Sequence, residues 1–246
     1  MPEKKSHPSK STLKLFQILG GVITIIIPIW LVLSSARLLM TEAYLQYEYS
    51  KPDFPADPFG FTQEERQQYA PFVIRYLQND SGVEYLGDLT FPDGHPMYNS
   101  RELRHMQDVK VVSRAAFAAH AILTLFLVGT VILSYGKAEA PTYLRKGVAR
   151  GAYLTLGGIL ALVILVTLNW SFFFEGFHKL FFEEGTWRFE YTDTLIRLFP
   201  ERFWFDAAIT IGILTASGAV ICLLLVWSWK HISKRAASGD AAPAER

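Results

Sequence analysis

The chain has one cysteine, Cys222, in 246 residues. A single thiol excludes an intramolecular disulfide framework and any zinc site built from several cysteines. Charge of one sign is not in excess: 24 Lys+Arg face 23 Asp+Glu, for a formal net charge of +1. That balance excludes a polybasic nucleic-acid binder, so no nucleic acid is expected as a partner. The G-x-S-x-G element that presents a serine nucleophile on a strand-to-helix turn does not occur. The low apolar content of a disordered chain is missing too, since 50% of the residues are hydrophobic.

What the sequence does hold is a segregation of charge. Residues 15–36, 115–136, 151–174 and 207–229 are free of Asp, Glu, Lys and Arg, 91 residues in all, so the 47 charges crowd into the remaining 155. A helix rises 1.5 Å per residue, and roughly 20 apolar residues cross a ~30 Å hydrocarbon core. Each block is that long and none has an amphipathic stripe, which favours four membrane spans over four buried core helices. Pro28 in the first is tolerable where neighbouring helices re-satisfy the backbone. That first block follows a basic start and resembles a signal peptide. Its apolar run exceeds the 7–15 residues of a signal h-region, so it reads as a retained anchor.

Orientation follows from the basic residues. Segments 1–14, 137–150 and 230–246 carry 12 Lys+Arg in 45 residues, against 12 in the 110 residues of 37–114 and 175–206. The positive-inside rule then makes both termini cytoplasmic and both long loops extracytoplasmic. The expected fold is mainly α, a polytopic membrane protein with four transmembrane helices and a small mixed cap. The segments are a tail 1–14, first span 15–36, cap 37–110, second span 111–136, cytoplasmic loop 137–150, third span 151–174, interfacial loop 175–206, fourth span 207–229 and tail 230–246.

Within the cap, Tyr44, Tyr47 and Tyr49 read as an interfacial aromatic belt. Thr62 and Glu65 have capping-box spacing and start a helix through about Leu77, ended by Asn79–Gly82. Residues 83–91 look extended, and Pro92-Asp93-Gly94 is a turn, which together predict a short hairpin. Asn99 followed by Glu102 starts a helix that runs into the second span, with Glu102, His105 and Asp108 on one side. The second loop opens with the aromatic stretch from Asn169 to Phe182 and should lie in the outer interface.

Of six histidines, His7 and His231 fall in the tails and read as solvated, and His95 falls in a turn. His120 lies inside the second span, where a helix–helix hydrogen bond is its expected role. Cys222 reads as a small buried hydrophobe of the fourth span. His105 and His178 differ, because each has polar neighbours at the same water boundary. Histidine changes protonation near neutral pH, so such a pair can share acid–base work. Two other readings stand beside this one. Glu102–His105 and Glu175–His178 are both Glu-x-x-His, the spacing of di-iron carboxylate bundles, for which Glu42 and Glu201 would complete the set. A non-catalytic structural or binding protein is the third.

YNSRELRHMQDVK (98–110) and FEGFHKLFF (174–182), with Trp187 and DTLIRLFPERFW (193–204), resemble the two motifs of the lipoprotein intramolecular transacylase family. They lie between four spans in that family's order. The resemblance implies a multi-pass acyltransferase of the bacterial cytoplasmic membrane, with its site on the extracytoplasmic face and no cofactor. Its partners would be membrane lipid and a diacylglyceryl-modified lipoprotein N-terminus, whose sn-2 acyl chain moves to the cysteine α-amine. His105 and His178 take the positions of the family's essential histidines, His105 as base and His178 polarising the carbonyl, or the reverse. Glu102 or Asp108 would orient the His105 ring. Tyr98, Asn99, Trp187, Asp193 and Glu201 lie in the matching stretches, Arg104 is a possible substrate clamp, and Asn169 could donate to the oxyanion or cap a helix.

Overall fold

A computed structural model of the chain describes residues 10–137 and 139–239; His7 and the outer ends of both tails lie outside the described residues. The fold is mainly helical, with α1 (Lys10–Leu39), α2 (Glu42–Tyr49), α3 (Gln63–Gln78), α4 (Glu84–Gly87), α5 (Ser100–Ser134), α6 (Ala140–Leu168), α7 (Trp170–Phe181), α8 (Thr194–Leu198) and α9 (Glu201–Gly239). Four of these, α1, α5, α6 and α9, are long and apolar enough to cross a membrane. The third charge-free block does not end as one span. Asn169 closes α6 at Leu168, and Asn169 Oδ1 accepts the Phe172 N–H to start α7. An Asn side chain supplies the acceptor that the first amides of a helix lack, so the chain breaks there.

The chain divides into two compact units. The first is built from the described parts of Met1–Val32, Ile122–Leu160 and Ile213–Arg246. Its core gathers Ile23, Ile27 and Leu31 with Leu144, Ala152 and Ala219, and Cys222 packs against it as a partly buried side chain. Small residues let helices approach closely here, as is usual between apolar helices. A Cβ on Gly147 would sit 2.5 Å from the Gly20 carbonyl oxygen, so α1 and α6 touch backbone to backbone. Trp30 Nε1 donates to Thr124 Oγ1 at 2.8 Å.

The second unit, Leu33–Ala121 and Ala161–Gly212, holds the long loops and all the candidate site residues. Its core includes Leu45, Tyr49, Tyr76, Leu86, Tyr98, Leu195, Leu198 and Phe203. The Thr62 capping box forms as its spacing predicts, and the helix it starts ends at Gln78, capped by Asn79. The hairpin does not. Residues 84–87 are a helical turn that buries Leu86 completely, and the pairing that remains is one antiparallel bridge, Thr90–Pro96. Among the described residues the loop therefore carries helices and no strand, not a mixed cap. The tyrosine belt is also corrected. Tyr44 and Tyr49 are buried on α2, and the Tyr49 hydroxyl donates to the Leu198 carbonyl at 2.8 Å, while Tyr47 is exposed. Full burial of two rings outweighs their preference for an interface. His120 Nε2 hydrogen-bonds with Ser34 Oγ at 2.9 Å, the helix–helix contact expected of it.

Candidate active site

The first turn of α5 is built by a reciprocal cap. Asn99 Oδ1 accepts the Arg101 and Glu102 N–H groups, each at 3.0 Å, and Glu102 Oε2 accepts the Asn99 N–H at 2.8 Å. Glu102 Oε1 takes the Leu195 N–H at 2.7 Å, which ties the start of α5 to α8. Burial raises the pKa of this carboxyl, and the two backbone N–H groups pull it back. Asp193 reinforces the junction by accepting from Asn99 Nδ2 at 2.9 Å, Arg101 at 2.8 Å and the Glu190 N–H at 2.9 Å. The Thr194 hydroxyl donates to the Met97 carbonyl in the same place.

One turn further along α5, ahead of the apolar segment that begins near residue 111, stands His105. It is 8% exposed, and its Nδ1 is buried with no hydrogen-bond partner among the described residues. Phe182 and Phe189 meet its ring edge-on, with centroids at 5.1 and 5.2 Å. Burial, and then the neighbouring His178, push its pKa down to about 4. The His178 ring lies nearly parallel to it, at 6.4 Å between centroids and 23° between planes.

His178 comes from α7, whose Asn169 cap fixes the helix start. Its Nδ1 lies 2.7 Å from the Phe174 carbonyl oxygen one turn back. A carbonyl oxygen can accept but not donate, so Nδ1 carries the proton and Nε2 keeps its lone pair. Phe174, Trp187 and Phe182 surround the ring, with centroids at 4.1, 4.7 and 5.7 Å. Burial lowers the His178 pKa, against the pull of the Phe174 carbonyl. Both shifts favour the neutral imidazole, and the two rings lie nearly parallel in an aromatic cage.

The remaining sequence candidates fall into different places. Trp187 is a wall of the cage, buried, with Nε1 unpartnered among the described residues. Tyr98 is buried beside Glu102, and burial pushes its phenol up. Neither Glu102 nor Asp108 hydrogen-bonds the His105 ring: Glu102 spends both oxygens on backbone amides, and Asp108 is half-buried. Spacing put the three residues on one side of the helix, but carboxylates one turn away found other partners or none. Asn169 Oδ1 is committed to its cap, and Glu201 is exposed at the start of α9. Arg104 is exposed, 3.4 Å from Glu183. The di-iron arrangement is not assembled. Glu42 pairs with Arg75, Glu175 with Lys179 and Arg188, and no three potential ligands converge among the described residues. Phe182 and Phe189 line the cage without having been singled out as site residues. The signal was the density of rings around Trp187, which reads as interfacial when distances are unknown.

Four apolar helices, with a buried His105 on α5 and a half-buried His178 on α7 sharing an aromatic cage, define a membrane protein with a candidate acid–base site. The family model described as lipoprotein intramolecular transacylase Lit matches residues 21–204, and the chain belongs to that family; it is an acyltransferase that modifies lipoproteins. An uncharacterized protein of Aquifex aeolicus (strain VF5) is 28% identical over 207 residues, 84% of this chain and 92% of that protein. The in meso structure of the membrane-integral lipoprotein intramolecular transacylase Lit from Bacillus cereus shares the fold. It has a TM-score of 0.72 at 21% identity, covering 92% of this chain and 99% of that one. A variant of the same protein with a histidine-to-alanine substitution gives 0.70 at 20% identity, over 92% and 98%.

Proposed function

We propose that this enzyme moves the sn-2 acyl chain of a lipoprotein's diacylglyceryl-cysteine onto the α-amine of the same cysteine, at the outer leaflet, with His178 as base and His105 as hydrogen-bond donor. The amine nitrogen attacks the ester carbonyl carbon. His178 Nε2, the nitrogen with the free lone pair, takes the amine proton. His105 Nε2–H donates to the oxygen that becomes negative. The bond from carbon to the glyceryl oxygen then breaks, the proton passes from His178 to that oxygen, and the product is an N-acyl, S-monoacylglyceryl lipoprotein. Holding donor and acceptor in one molecule supplies the proximity that a bimolecular transfer lacks.

The pairing of the two rings carries this reading. The ring centroids are 6.4 Å apart, close enough for one substrate to lie against both imidazoles. The roles follow from what each ring already does. The Phe174 carbonyl holds the His178 proton on Nδ1 and steadies the ring when it becomes charged. Among the described residues nothing holds a proton at His105 Nδ1, which leaves Nε2 to carry it. With a pKa near 4, it resists ionising and suits donation to an oxyanion better than proton abstraction.

Placement at the outer leaflet is supported by the basic-residue asymmetry, which favours cytoplasmic termini. The apolar side chains that α7 leaves exposed, Phe172, Phe177, Leu180 and Phe181, suit a helix lying in the interface, where the lipid-borne ester resides. Mass spectrometry of a lipoprotein N-terminus, from cells with and without this chain, tests the proposal. The expected result is an N-acylated, S-monoacylglyceryl cysteine that appears only with the chain. A diacylglyceryl cysteine with a free amine in both samples would refute it.

A further inference from the structure

A cavity of ≈ 390 Å³ is lined by Ser100, Arg101 and Arg104 of α5 and by Gly185 and Thr186 of the loop after α7. Its lining residues adjoin the cage in the chain. Arg104 precedes His105, and Thr186 precedes Trp187, whose ring is 4.7 Å from that of His178. The Arg101 guanidinium lies 5.8 Å from the centroid of Phe189, the ring that meets His105 edge-on. Gly185, one of the lining residues, has φ +88 and faces open space, a backbone conformation that other residues adopt only with strain.

The cations of this cavity are unequally engaged. Arg101 is held by Asp193 at 2.8 Å. Arg104 reaches Glu183 at 3.4 Å, with both side chains two-thirds exposed or more, a contact that contributes little in water. A guanidinium fork so placed is available to carbonyl or carboxylate oxygens.

From this, and resting on the transfer reading above, we infer that the cavity receives the polypeptide that follows the acceptor cysteine, and that Arg104, backed by Arg101, selects its second and third residues by charge. The amine that reacts at the imidazole pair is the first atom of a peptide that must leave the cage toward water. His105 and Arg101 are four residues apart on one helix, about 6 Å along its axis. An extended peptide covers that distance in about two residues at ~3.3 Å each. Main-chain carbonyls give any sequence a foothold, and acidic side chains at those two places gain an extra acceptor.

Three synthetic diacylglyceryl-cysteinyl peptides, carrying Asp-Asp, Ser-Ser or Lys-Lys after the cysteine, test this on the purified full chain in lipid nanodiscs. KM is expected to be lowest for Asp-Asp and highest for Lys-Lys, with a span of roughly fivefold to tenfold at low salt and little change in kcat. The span should shrink at 0.5 M salt. Arg104→Gln should flatten the ranking and Arg104→Glu should invert it. Equal KM values for the three peptides, or a ranking that Arg104→Glu leaves unchanged, would overturn the inference while transfer itself stands. No transfer from any peptide by the unaltered enzyme would overturn the transfer reading and this inference with it.

Discussion

Two buried polar places in the same unit treat their hydrogen bonds in opposite ways. In the loop after α1, Asp57 accepts from the Phe61 N–H at 2.8 Å and from Arg197 at 3.0 Å. Arg197 also reaches the Phe59 carbonyl, and Arg66 donates to the carbonyls of Arg197 and Pro55. Each charge there has an answering group. In the cage, His105 Nδ1 and Trp187 Nε1 are buried and unanswered among the described residues. Buried polar atoms are nearly always paired because leaving one bare costs about 1–3 kcal/mol. The first place leaves its charges answered, as a stabilising network does. The second keeps the cost of unpaired groups, which suits a site whose chemistry needs groups uncommitted until a substrate arrives.

The sharpest way to separate the two is to cut each. His105→Ala and His178→Ala should each lower the transfer rate by roughly 10³-fold, the scale of lost general acid–base catalysis, with thermal unfolding close to that of the unaltered chain. Full transfer by either variant would remove that histidine from the mechanism. Asp57→Ala should do the reverse. It leaves the Arg197 guanidinium, whose side chain is 14% exposed, with the Phe59 carbonyl but no counter-charge, and should cost about 3 kcal/mol in chemical denaturation. Activity per folded molecule should stay near normal at low temperature. A stable but inactive Asp57→Ala protein would mean that the network serves the site directly.

Acid should also tell the two places apart. Both histidines have folded-state pKa values below the 6.5 of an unfolded chain, His105 near 4, so the unfolded state binds more protons between those limits. Stability contributed by the cage is then intact above pH 6.5 and falls as pH drops from there toward 4. Asp57 behaves otherwise. Burial opposes its ionisation, but Arg197 and the Phe61 N–H outweigh burial and hold its pKa below 3.8, so its contribution persists until pH falls beneath that value. Hydrogen exchange read at pH 7 and pH 5 should therefore show amides around α7 losing protection while those of 57–61 keep theirs. Transfer should rise with pH through the His178 titration and again as the acceptor amine, with a reference pKa of about 7.7–8.0, loses its proton. A rate that climbs as pH falls from 7 to 5 would demand an imidazolium and reverse the proposed roles.

The two places were not equally legible in the sequence. Charge segregation marks the four long helices because lipid tolerates few ionised groups, and Thr62–Glu65 and Asn99–Glu102 mark two helix starts because their bonds close within four residues. His105 and His178 stood out by type and by their position beside apolar blocks. Their face-to-face pairing, and Phe189 as a wall, depend on the turn of the chain between α7 and α8, which no local pattern encodes. The clamp at Asp57 was invisible for the same reason, since Arg197 lies 140 residues away. Residues 83–91 misled by composition: Val83, Tyr85 and Phe91 favour strands, yet complete burial of Leu86 against the rest of the unit settled a helical turn.

Asn169→Ala gives the smallest effect and tests how rigidly the cage is held. Asn169 was a candidate oxyanion donor, but its Oδ1 caps α7, and the loss of a cap costs about 1 kcal/mol, confined to the first turn. His178 lies nine residues on, and its Nδ1 depends on the Phe174 carbonyl, five residues from the cap. If the aromatic packing of Phe174, Trp187 and Phe182 holds the ring, the variant should lose a little stability and transfer at nearly the normal rate. Asn169→Asp, which keeps the acceptor, should restore that stability in either case. A loss of transfer as deep as that of His178→Ala, with Asn169→Asp equally inactive, would instead show that the amide itself acts on the substrate. The cage would then contain a third working group, for which the fully satisfied clamp has no counterpart.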